Sequence, residues 1–287
     1  SYRWLLNKVK KHSLALASLI RTVDKLRSRV SWLRNGDANT KLFHSCARFR
    51  KKKNFITKLA KGDVMVTSHN EKAEVLFDYF TEIIGSSKER VSSIDLDALG
   101  VQHHLLDHLD SPYSEEELLE TIKQLPSDKA PGPDGFTGRF FKSCWPIIKT
   151  DLMAAIAAVW RKDFRNFRAL NSAFIILLPK VENPSSAKDF RPISLIHSFA
   201  KIVTKILANR LGKVLDCMVS KNQSAFIKGR FIQDNFMLVQ QSARFLHHQK
   251  QPRILLKLDI SKAFDSVSWP FLIEVLQQLG FGQIWRD

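Results

Sequence analysis

The stretch Arg253–Asp265, RILLKLDISKAFD, constrains this chain more than any other. Ile254, Leu255, Leu256, Leu258 and Ile260 surround Asp259 with apolar residues, and Gln251-Pro252 punctuates the entry. Side chains alternate along a strand, so Ile254, Leu256, Leu258 and Ile260 share one face, and Leu255, Lys257, Asp259 and Ser261 the other. The pattern predicts a strand with one face in the core and a carboxylate at its end, a rigid place from which to hold a metal ion. In an extended chain Asp259 and Asp265 would lie about 20 Å apart. They share a site only if the chain turns between them, with Phe264 following Asp259 around the turn. A plain core strand followed by a polar turn gives the same pattern.

The chain has 287 residues, enough for one large or two ordinary domains. A hydrophobic content of 44% excludes a disordered polymer. The net charge is +17, and residues 1–60 hold 16 Lys/Arg against 2 Asp/Glu, a net +14. Such asymmetry points to a polyanionic partner, nucleic acid rather than a membrane surface. No apolar run reaches the length that spans a bilayer. Ser1 is not an initiator, so the chain is expected to be cut from something longer, and a missing signal peptide says little. Cys46, Cys144 and Cys217 are too scattered for a disulfide framework or a zinc site and fit a reducing compartment. His44 and Cys46 are close but lack the second ligand pair of a metal site, and His103, His104 and His108 lack a metal motif and read as solvated.

Taken in order, residues 1–60 predict a helix and then a basic turn. Leu19, Val23, Leu26, Val30 and Leu33 form a short apolar stripe expected to dock on the rest of the chain. Asn35-Gly36-Asp37 signals a turn. Arg48, Arg50, Lys51, Lys52 and Lys53, interleaved with Phe49 and Phe55, suit phosphates and unpaired bases; a solvated basic helix face gives the same pattern. Residues 61–110 read as a helical connection, with a helix over Glu71–Ile84 ended by Gly85 and a polar surface stretch over 86–110. Ser114 and Glu117 make a capping box for a helix to Leu125, stopped by Pro126. SDKAPGPDG (residues 127–135) is a stiff, tightly turned loop. Phe136–Arg161 then predicts one or two helices, broken near Trp145-Pro146.

Ala173–Lys180 reads as a buried strand and Asp189–Leu195 as its partner across a hairpin-like turn. Lys180 and Arg191 would then stand on one projecting edge, a point charge and a fork suited to a triphosphate. Two cations on a hairpin are also an ordinary guard against edge-to-edge aggregation. Pro192 suits the first turn of a helix that keeps its spacing to Met218, with Lys201, Lys205, Arg210 and Lys213 on the outside. Residues 222–230 form a loop in which Gly229 permits close backbone approach and Arg230 can reach a phosphate. A helix with Ile232, Phe236, Val239, Ala243 and Leu246 inside follows, then the Asp259 strand and a helix near Pro270–Leu279.

Four of these stretches, SDKAPGPDG, PK…FRPISL, QSAFIKGR and LDISKAFD, resemble in this order the reverse transcriptases of non-LTR, LINE-type retrotransposons. WLRNGDANTKLFH resembles the segment ahead of the polymerase in the plant members. The resemblance implies an α+β fold: a partial right-hand polymerase, fingers and the start of the palm over residues 111–287, behind the basic helical segment. It implies RNA-templated DNA synthesis with two Mg²⁺ ions, and as partners an RNA template, a DNA primer and deoxynucleoside triphosphates. Asp259 would be catalytic and a metal ligand. Lys180 and Arg191 would hold the incoming nucleotide's phosphates, and Phe264 would lie under its sugar. Asp134, Gly135, Gly229 and Arg230 would shape the template channel. The family takes its other metal-binding carboxylates from a downstream aromatic-x-Asp-Asp turn, and this sequence has no Asp-Asp pair. The chain alone is therefore expected to be inactive, an N-terminal polymerase fragment; a non-catalytic RNA-binding relic is the alternative. The family's location is a nuclear or cytoplasmic ribonucleoprotein.

Overall fold

The computed structural model describes residues 2–28, 40–85, 94–163, 165, 167–250, 254, 256–259 and 267–287. The chain divides into two compact units, one of Ser1–Tyr79 with Ile175–Ser194 and one of Phe80–Phe174 with Leu195–Asp287.

The first unit opens with two helices, α1 (Tyr2–Ser28) and α2 (Thr40–Asn54), packed on each other. Asp24 and Ser28 of α1 and Phe43 of α2 are buried, whereas Leu19 and Leu26 stay exposed. The expected docking of the apolar stripe is thus corrected: α1 meets α2 through the polar side next to the stripe. Val30, Leu33 and the Asn35-Gly36-Asp37 turn lie outside the described residues. The predicted basic turn is instead the helix α2, because residues 40–54 contain neither Pro nor Gly to stop it. A hairpin follows, β1 (Leu59–Lys61) antiparallel to β2 (Val64–Val66), with Leu59 opposite Val66. Its two-residue Gly62-Asp63 connection is a hairpin signal that the sequence reading passed over. α3 (His69–Gly85) begins with Ser68 accepting from the Glu71 N–H and donating to its carboxylate, and ends at Gly85 as expected.

The second unit holds the larger core. α4 (Glu115–Gln124), α5 (Gly138–Trp160) and α7 (Ser198–Leu211) bring together Leu118, Ile122, Phe141, Leu152, Ile156, Ile202 and Ile206. Ser114 caps α4 by accepting from the Glu117 N–H. α5 runs unbroken through Pro146, against the expected break. An internal proline costs about 3 kcal/mol, but α5 buries Phe141 before it and Leu152 and Ile156 after it. Each such side chain contributes about 1.5–3 kcal/mol, so packing on both sides outweighs the kink. Between α5 and α7 in the chain lie a short helix, α6 (Phe167–Leu170), and two paired strands, β3 (Ala173–Pro179) and β4 (Phe190–Ile196), most of whose residues belong to the first unit. Pro192 therefore sits in a strand rather than a first helical turn; a two-stranded pair leaves N–H positions that need no partner.

After α7 come α8 (Leu215–Met218), α9 (Ile232–His248), α10 (Trp269–Gln278) and α11 (Gln283–Arg286). Residues 94–110 are not merely a surface connection. Leu106 and Leu109 are buried with Phe281, and the Asp110 carboxylate accepts from the Ile284 and Trp285 N–H groups. α9 forms as predicted, but Ile232, Phe236 and Val239, expected inside, are exposed. Its apolar periodicity specified a helix without supplying an element to cover it.

Candidate active site

Lys180 and Arg191 stand at the facing ends of β3 and β4, joined by a turn that its own polar groups define. The Asp189 carboxylate accepts from the Ser185 N–H (3.1 Å) and the Ser186 N–H (2.9 Å). These backbone donors, Ser186 first, hold the Asp189 carboxyl below its ordinary value. Ser186 completes the reciprocal capping box with Asp189, and the Lys180 N–H donates to the Asp189 carbonyl at 2.7 Å. The Lys180 ammonium donates to the Lys188 carbonyl at 2.8 Å, so it braces the turn. Arg191 is exposed, and among the described residues its guanidinium has no hydrogen-bonding or ionic partner. The turn thus presents one engaged and one unengaged cation. β3, expected to be buried, is not: Phe174, Ile175, Ile176 and Leu178 are exposed, because the sheet has only two strands and leaves its faces uncovered.

The loop SDKAPGPDG is latched to the start of α7. The Asp134 carboxylate accepts from the Phe136 N–H (3.3 Å) and from the Ser198 N–H, and the Ser198 hydroxyl donates to the Phe136 carbonyl. Asp134 thereby satisfies an unpaired donor in the first turn of α7. Gly132 approaches Ile196 so closely that a Cβ there would lie 2.1 Å from the Ile196 carbonyl oxygen. Gly135 and Gly229 have φ of +70° and +85°, the left-handed conformation that L side chains avoid.

Arg230 is drawn inward. Its guanidinium donates to the carbonyls of Ser220 (2.6 Å), Gln223 (2.8 Å) and Val219 (3.1 Å) and to the Asp216 carboxylate (2.8 Å). It closes the loop on the end of α8, a role its position after Gly229 did not announce.

Asp259 has coil backbone and an exposed side chain. Ile254 and Leu258, expected on the core face of a strand, are 94% and 80% exposed. The predicted strand is corrected on these residues. Strand backbone needs a neighbour for its N–H and C=O groups, and the described sheets are the pairs β1-β2 and β3-β4. Phe264 and Asp265 lie outside the described residues. Among the described residues no three His, Cys, Asp or Glu side chains gather as a metal site. Asp259 by itself does not fit a two-metal centre. Lys180 and Arg191 belong to the first unit, and Asp134, Gly135, Gly229, Arg230 and Asp259 to the second.

Residues 178–287 match the family described as "Reverse transcriptase (RNA-dependent DNA polymerase)". The chain is 32% identical over 176 residues to the "Transposon TX1 uncharacterized 149 kDa protein" of Xenopus laevis, covering 61% of this chain and 13% of that protein. It is 26% identical over 207 residues to the "Retrovirus-related Pol polyprotein from type-2 retrotransposable element R2DM" of Drosophila melanogaster, covering 72% and 18%. It is 28% identical over 180 residues to the "Probable RNA-directed DNA polymerase from transposon BS" of the same fly, covering 61% and 18%. The chain spans less than a fifth of the length of each of these relatives. The match begins at Leu178 and takes in Lys180, Arg191, Gly229, Arg230, Asp259 and Phe264. Over residues 178–287 the chain is similar to the reverse transcriptase family, and the relatives named here are proteins of transposons and retrotransposable elements.

Proposed function

We propose that this chain supplies the fingers and first palm segment of an RNA-directed DNA polymerase. The carrying observation is that PK…FRPISL, QSAFIKGR and LDISKAFD follow one another inside the residues matched to the family, behind SDKAPGPDG. The reaction joins a DNA primer's 3′-hydroxyl to the α-phosphorus of a deoxynucleoside triphosphate, and pyrophosphate leaves. The unengaged Arg191 is the residue we assign to the phosphates, where a planar fork offsets charge building on the leaving group. Lys180 joins it by exchanging the Lys188 carbonyl for a phosphate oxygen. Phe264 lies under the sugar. Asp134, Gly135, Gly229 and Arg230 shape the template channel, Asp134 and Arg230 by holding their loops in form.

Two Mg²⁺ ions belong to the completed enzyme, with Asp259 as one ligand; the remaining carboxylates would come from an aromatic-x-Asp-Asp turn. The 287-residue chain alone therefore does not extend a primer. The working particle is a ribonucleoprotein, nuclear or cytoplasmic. The test joins this chain to a downstream segment bearing that turn and measures deoxynucleotide addition on an RNA template with Mg²⁺. The extended protein should polymerise, and Asp259→Ala should abolish it. Robust extension by the 287-residue chain, or activity surviving Asp259→Ala, overturns the assignment.

A further inference from the structure

Residues 40–61 contain eight Lys or Arg and no Asp or Glu. On α2 the buried Phe43 lies on one side, and Asp24 of α1 meets His44 at 3.3 Å. Lys41, Arg48 and Lys52 recur at spacings of seven and four, which places them on the opposite face. All three are exposed. Among the described residues none of them, nor Arg50, Lys51 or Lys53, pairs with a carboxylate. Cations elsewhere do: Lys61 with Glu74, Lys149 with Glu115, Arg139 with Asp128. Arg48 and Lys52 are also a like-charge pair four residues apart, which opposes the helix unless an anion relieves it.

Two rings lie among these cations. Phe49 is 68% and Phe55 64% exposed. Phe55 is held beside Lys72, whose ammonium sits 5.7 Å from the ring centroid and donates to the Ile56 carbonyl at 2.9 Å. A helix built for a lipid surface segregates apolar residues onto one face and cations onto the other. Here Phe49 lies between Arg48 and Arg50 and Phe55 beside Lys72, so rings and cations share one surface, the arrangement that tracks a phosphate backbone while stacking unpaired bases. The stripe from Lys41 to Lys52 is about 16 Å long at ~1.5 Å per residue. That is the reach of roughly five phosphates of a stacked strand.

We propose that this face of α2, with Phe49 and Phe55, is a binding surface for single-stranded nucleic acid. It uses none of the residues assigned to polymerisation, so binding here and primer extension succeed or fail independently.

The experiment titrates the 287-residue protein into a labelled oligouridine and a labelled RNA duplex of equal length, by anisotropy at several salt concentrations. The triple variant Lys41→Gln, Arg48→Gln, Lys52→Gln should flatten the log–log salt slope for the single strand by about 2, at ~0.7 per phosphate. Lys41→Arg with Lys52→Arg should keep it. Phe49→Ala with Phe55→Ala should weaken the single strand roughly tenfold or more, with the salt slope and duplex affinity unchanged. An unaltered slope in the triple variant overturns the proposal. So does equal weakening of strand and duplex by loss of the rings, or phosphatidylserine vesicles displacing the single strand.

Discussion

Arg210 of α7 and Glu117 of α4 form a two-pronged ion pair, Nε to Oε1 and Nη2 to Oε2, both at 2.7 Å. Arg210 reads from the sequence as an outward-facing cation on a basic helix. It is buried instead, donates further to the carbonyls of Leu109, Ser111 and Pro112, and lies 5.1 Å from the Trp160 ring centroid. The Ser114 hydroxyl caps the Glu117 N–H, and the Glu117 carboxylate reaches α7. Hydrogen bonding from Arg210 holds the Glu117 carboxyl below its ordinary value of 4.5.

Glu117→Gln should therefore cost about 2–3 kcal/mol at neutral pH, since it strands a buried guanidinium. A carboxyl with a depressed folded value contributes stability that is present above 4.5 and lost as pH falls through the folded value. Urea unfolding of both proteins should show the largest gap near neutrality and a shrinking one in acid. A gap that stays constant with pH would show that the pair's charge does not matter. Arg210→Lys should also destabilise, because an ammonium cannot reproduce the fork.

Gly132→Ala should destabilise the second unit by about 1–3 kcal/mol. Its Cβ would meet the Ile196 carbonyl oxygen at 2.1 Å, and backbone cannot rotate away as a side chain can. Thermal melts monitored by circular dichroism would show it as a drop of several degrees. An unchanged melt would mean that the loop does not rest on the end of β4 at Ile196.

In the extended polymerase, Arg191→Ala should lower kcat/KM for deoxynucleotides by roughly ten- to a hundredfold, the worth of a charge-assisted bond. Arg191→Lys should recover only part. Asp189→Ala should lower it less, by loosening the turn that the Ser185 and Ser186 N–H groups close. Steady-state kinetics at saturating primer-template checks the order. Equal activity for Arg191→Ala and wild type would remove Arg191 from the site.

Under the proposed assignment of Phe264 to the sugar, Phe264→Val in the same protein should raise ribonucleotide use with deoxynucleotide use less affected, because a bulky ring there would fill the space of a 2′-hydroxyl. Paired kcat/KM values report the ratio that defines this specificity. If both constants fall together, the assignment of Phe264 to the sugar is dropped.

Local signals were legible wherever a few neighbouring residues suffice. Ser114 capping α4, Gly85 ending α3 and the tight turn at Gly135 could all be read from sequence. The order of SDKAPGPDG, FRPISL, QSAFIKGR and LDISKAFD likewise carried the family, because motif order is a property of the chain itself. What the sequence could not hold is which faces find partners. Periodicity says that α9 has an apolar face and that Ile254–Ile260 alternates, but burial requires a second element, and none of the described ones covers them. The reverse holds for Arg210 and Asp134. Arg210 reads as an outward-facing cation and Asp134 as part of a self-contained loop until residues some 60–90 positions away supply Glu117 for the one and the Ser198 N–H for the other. Chemistry and order are encoded residue by residue; the fate of a charge is decided by long-range packing, because only packing removes water and brings the compensating hydrogen bonds.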